Sequence, residues 1–144
     1  MIRFKPLILA SAILASTAAV AHSDATNPAV IARMDAMKAI GGAMKTLSTM
    51  AKGEMEFDAT AANGALETMA MKAAEIPALF EAQESDPESE ASDAIWTNWD
   101  DFVAKAGALE AGAKSVTITS ADDIGAAMGA VGGSCKSCHT AYKL

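Results

Sequence analysis

Both cysteines of this 144-residue chain fall in one five-residue run, Cys135-Lys136-Ser137-Cys138-His139. Thiols three residues apart on a helix project from the same face. A pair so placed can add across the two vinyl groups on one edge of a porphyrin, and the imidazole of the next residue then swings under the iron. The run is the CxxCH attachment signature of a c-type haem, with Cys135 and Cys138 as covalent anchors and His139 as an axial iron ligand. Other chemistries fit less well. A thioredoxin-type redox pair sits at a helix start in a βαβ context. A structural zinc site takes four ligands, and the only other histidine or cysteine is His22. A plain disulfide leaves His139 without a role.

The element that carries the motif must be a helix. It starts at Ser120, whose partner Asp123 completes a capping-box pattern. Ile124, Met128, Val131, Cys135, Cys138 and Tyr142 then alternate at spacings of four and three, which sets the cysteines on an inward stripe. Gly125, Gly129, Gly132 and Gly133 crowd the same segment and imply that something, a porphyrin or a neighbouring helix, approaches its backbone tightly.

Three further helical patterns precede it. The first opens with Asn27 as N-cap and Pro28 in the first position and fades at Gly53, with Val30, Met34, Met37, Met44, Leu47 and Met50 on one face and Ile40 near it. The second runs from about Asp58 or Thr60 to Ala74, with Leu66, Met69, Ala70 and Ala73 inward, and Pro77 bends or ends it. The third carries Ile95, Trp99, Phe102, Ala106 and Leu109 as a stripe, with Trp96 beside it, and yields near Gly112. The aromatic residues read as bundle core rather than as a haem box. Between the second and third patterns lies "EAQESDPESEAS", Glu81 to Ser92, which reads as a solvated acidic loop. Ser115 to Ile118 is too short and isolated to found a sheet. The fold class is therefore all-α, an antiparallel four-helix bundle.

The first residues read as an address. Arg3 and Lys5 precede an apolar stretch from Leu7 to Val20, too short to span a membrane, and Ala19-Val20-Ala21 fits a signal-peptidase site. The expected organisation is a signal peptide over residues 1–21 and one haem domain over residues 22–144, exported to the periplasm with no membrane span. Removing the leader takes Arg3 and Lys5 and no acidic residue, so 9 basic residues face 18 acidic ones, a net charge of −9. Such a surface excludes nucleic acid and suits basic docking patches on redox protein partners.

Taken with the motif on the last helix and with Tyr142 and Lys143 after it, the chain resembles the class II c-type cytochromes, the cytochrome c′ family. The "KGE" of Lys52 to Glu54, Phe57-Asp58 and Ile95-Trp96 resemble family patterns too. Cytochrome c′ is a familiar instance of the four-helix bundle. The stretch "ARMDAMKAIGG", with Met37 four residues after Arg33, is most similar to the low-spin Met/His branch. The resemblance implies one covalently bound haem c, Met37 as second axial iron ligand, and a monohaem electron carrier rather than an enzyme. It equally implies the alternative of cytochrome c′ proper, five-coordinate and binding nitric oxide or carbon monoxide, in which Met37 is gap-filling core. Arg33 suits a haem propionate contact or a place on the helix surface. Homodimers through the first two helices are common in the family. Lys143 departs from the arginine that often follows the aromatic. A peroxidase would need a distal acid–base residue, and no histidine is available there.

Overall fold

Asn27 starts the first helix: its side-chain oxygen accepts from the amides of Ala29 (2.9 Å) and Val30 (3.2 Å), and Pro28 fills the first position. In the computed structural model, which describes residues 24–144, this helix, α1, spans Pro28–Ala51. The leader and His22 lie outside the described residues. The end of α1 is a Schellman turn, in which the Gly53 amide donates to the Met50 carbonyl and the Glu54 amide to that of Thr49, both at 3.0 Å. Gly53 takes φ +70°, which a side chain would strain, so the glycine is required there.

Asp58 caps α2, Ala59–Phe80, by accepting from Thr60 (2.8 Å) and Ala61 (3.1 Å). The expected stop near Pro77 is corrected, since the helix continues through the proline to Phe80. Pro77 removes one amide from the ladder, but Ile76 and Phe80 on either side are buried in the core and hold the last turn in place. The third pattern is also corrected. It divides at Asn98 (φ −125°, ψ 46°) into a single turn α3, Ala94–Thr97, and a long helix α4, Trp99–Lys114. The Asn98 amide group donates back to the Ala94 carbonyl at 3.1 Å, the local competition with the ladder that favours a break.

Helix α5 is Asp123–Tyr142. Asp123 reaches back to the amides of Thr119 and Ser120, both at 2.8 Å, which holds its carboxyl down at about 2. Before it, residues 115–118 form no strand. Ile118 is instead buried, and its main-chain N–H and C=O both bond the Asn63 side chain of α2, at 2.9 and 2.7 Å.

The long helices close a ring, α1 on α2, α2 on α4, α4 on α5 and α5 on α1, with α3 as an appended turn. Its centre is an apolar cluster around Leu47, Met69, Ile95, Ile124 and Val131. Among the described residues no helix is long and apolar enough to cross a membrane. On α1 the buried stripe is Val30, Ala36, Ile40, Ala43, Leu47 and Met50, whereas Met34, Met37 and Met44 are only half-buried. Ala36 and Ala43 are buried in that stripe, whereas Met34 and Met37 are turned onto its flank. The part of the α5 glycine expectation that invoked a neighbouring helix is corrected too. No atom of another helix lies within 4 Å of where a Cβ would sit on Gly125, Gly129, Gly132 or Gly133. The close approach is at Gly112 of α4, where a Cβ would stand 2.7 Å from the Ala130 carbonyl oxygen of α5.

Candidate functional site

The flank onto which Met34 and Met37 turn is one wall of a cavity of about 400 Å³. Helix α1 lines it with Arg33, Met34 and Met37, and α5 lines it with Cys138, His139 and Tyr142. Phe80 and Phe102 contribute apolar surface, and Glu88 to Ala91 of the acidic connection form a rim. Met37 and His139 thus reach one space from two helices. Cys135 is half-buried against the core a turn before Cys138.

Neither cysteine is in a disulfide. Burial pushes the pKa of each up, and for Cys138 the nearby Lys105 ammonium opposes that rise. Lys105 stands over the motif, donating from Nζ to Ser137 Oγ at 3.0 Å and lying 3.7 Å from Asp101. Asp101 in turn accepts from the Tyr142 hydroxyl at 2.5 Å, which, with burial and the carboxylate charge, pushes Tyr142 up to about 12. The Tyr142 ring meets Phe102 edge-on, with centroids 5.3 Å apart. Sequence reading missed this support for the α5 wall. The four-residue spacing of Asp101 and Lys105 was visible, but their pairing with another helix was not.

Arg33 is only 3% exposed. Its Nε donates to the Leu79 carbonyl (2.9 Å), Nη1 to that of Glu84 (2.8 Å) and Nη2 to that of Ala82 (2.5 Å). Lys143 bridges main chain to main chain with Ala91 and pairs with Glu90 at 3.1 Å. The acidic connection is exposed, as expected of a solvated loop, yet it is tied at both ends. Trp96 and Trp99 are half-buried at the bundle edge, and Phe102 is core.

An apolar cavity with the Cys138 thiol and the His139 imidazole at one wall and the Met37 thioether at the other, and with Cys135 one turn before Cys138, is a donor set that suits an iron porphyrin. Residues 28–143 match the family model described as Cytochrome C′. The chain belongs to the cytochrome c′ family. It is therefore a c-type cytochrome with one covalently bound haem c. The cytochrome c-556 of Agrobacterium fabrum is 40% identical over 111 residues, covering 75% of each chain. The cytochrome c′ of Pararhodospirillum photometricum is 35% identical over 116 residues, 77% of this chain and 92% of that one. In three dimensions the chain is similar to cytochrome c′ from Rhodopseudomonas palustris, with a TM-score of 0.76 and 29% identity over 83% of this chain and 98% of the other. The four-helix architecture of that family is the one described above.

Proposed function

We propose that this cytochrome is a periplasmic electron carrier whose haem is attached at Cys135 and Cys138 and whose iron is held by His139 and Met37. The observation that carries the reading is that Met37 and His139 line one cavity from two helices, with the Met37 side chain half-buried toward it. Relatives called cytochrome c-556 fit the Met/His branch.

Cys135 and Cys138 would hold the haem through thioether bonds, each S–H adding across a vinyl group with sulfur on one carbon and the proton on the other, so that no oxidant or reductant would be consumed. The haem, once held, supplies a reversible one-electron couple at iron. His139 lies on a helix fixed by the Tyr142–Asp101–Lys105 network, and Met37 lies on a helix capped at both ends. Ligands on rigid elements do not move between valences, which favours electron transfer. Methionine opposite histidine raises the potential relative to a second nitrogen donor. The acidic surface favours basic partners, with association that slows as salt rises.

The second reading keeps the same attachment but leaves the sixth position open for nitric oxide or carbon monoxide. Relatives called cytochrome c′ favour it. Carbon monoxide titration of the ferrous protein separates the two. A Met37 ligand makes uptake weak and slow, and Met37→Ala makes it fast and tight. Equal, fast uptake by both proteins would favour the open site.

A further inference from the structure

Helix α2 has no glycine after it. Glu81 follows with φ −59° and ψ −44°, so the final carbonyls of the helix are left in need of donors. Two side chains from other elements supply them: Arg33 Nε bonds Leu79 O, and Trp96 Nε1 bonds Phe80 O at 2.7 Å. The Arg33 charge is buried, and among the described residues no carboxylate lies within ion-pair distance of it. The Glu84 carboxylate favours the charge from farther off, and the rest of its compensation is the negative end of a 22-residue helix and two ring faces, Phe80 at 4.7 Å and Trp96 at 5.5 Å.

The same guanidinium continues past the helix end, donating to Ala82 and Glu84 of the connection. The connection reaches back in turn. Glu84 accepts from the Asn27 side chain at 2.6 Å, and Asp86 accepts from the amides of Thr26 (2.8 Å) and Asn27 (3.0 Å). The first turn of α1, the end of α2 and the connection therefore form one closed circuit of hydrogen bonds beside the cavity.

We propose that Arg33 is a positioning residue, one that fixes the α2 end and the 82–92 connection as the haem pocket wall, rather than a haem propionate ligand. Three of its five N–H donors are committed to main-chain oxygens, in a fork geometry that lysine cannot copy. The guanidinium also leaves a desolvated positive charge at the cavity edge, which disfavours the added charge of the ferric state. The inference is independent of which ligand takes the sixth iron position.

The test compares the holoprotein with Arg33→Lys and Arg33→Gln by amide hydrogen exchange over residues 82–92 and by the reduction potential as a function of pH. Both variants should exchange faster there by about ten- to a hundredfold, the factor that losing one or two charge-assisted hydrogen bonds allows. The potential of Arg33→Gln should fall at every pH while that of Arg33→Lys stays nearer the wild type, and neither pH profile should change shape. Unchanged exchange would overturn the proposal. So would an inflection moved to higher pH in Arg33→Gln, which marks a propionate that has lost its cation. Should Arg33→Gln fail to hold haem, Trp96→Phe removes the neighbouring cap without touching the charge. It should speed exchange at residues 80–84 and leave the potential in place, and no change in exchange would count against the circuit.

Discussion

The α5 wall of the cavity carries its chemistry in five consecutive residues, whereas the α1 wall depends on partners 46 to 51 positions away in the chain, the acceptors of Arg33. The difference is one of range. A thioether pair and its imidazole need only helical spacing, so the motif can be local. A pocket wall made of an exposed acidic segment has almost no apolar surface of its own to bury, so it must be tied down by long-range hydrogen bonds.

Breaking the local wall should have the largest effect. Replacing Cys135 and Cys138 together by serine leaves nothing to form a thioether, so haem should be wholly lost from the chain under denaturing conditions, as read by mass spectrometry. Retained covalent haem would refute the attachment sites.

Next comes the packing that sets the angle of that wall. Gly112→Ala places a methyl against the Ala130 carbonyl oxygen, 2.7 Å away, and should destabilise the fold by about 1–3 kcal/mol in denaturant titration. Gly129→Ala, with no atom of another helix within 4 Å of the new methyl, should not destabilise and serves as the control. Equal losses from the two would contradict the close α4–α5 contact.

The smallest effect concerns the start of α5. The Asp123 carboxyl is held at about 2 by hydrogen bonds from Thr119 and Ser120, below its ordinary 3.8. A depressed folded-state value stabilises the protein above about pH 4, and that contribution is lost as pH falls from about 4 to 2. Asp123→Asn should flatten the acid limb of the stability curve across that window and leave the cavity unchanged. An unaltered acid limb would show that this end contributes nothing.

The bundle itself was legible because helical periodicity and caps are local signals: Asn27, Gly53 and the stripe through Cys135 and Cys138 stand where the residues predict. The rotation of α1 was not. Counting large apolar residues as inward put Met34, Met37 and Met44 in the core, but close helix contact selects Ala36 and Ala43 instead. Pro77 inside α2 and the break at Asn98 were missed because tertiary burial and side-chain competition, not propensity, decide them. Nothing in sequence spacing announces that Arg33 caps a different helix, or that Asn63 serves as the hydrogen-bonding neighbour of Ile118.

The central claim is that the two walls converge on one iron, with Met37 opposite His139. The visible spectrum of the oxidised protein tests it most directly. A low-spin spectrum with a weak far-red methionine-to-iron band, lost in Met37→Ala, is the predicted result. A high-spin spectrum in the unmutated protein, unchanged by Met37→Ala, would contradict it.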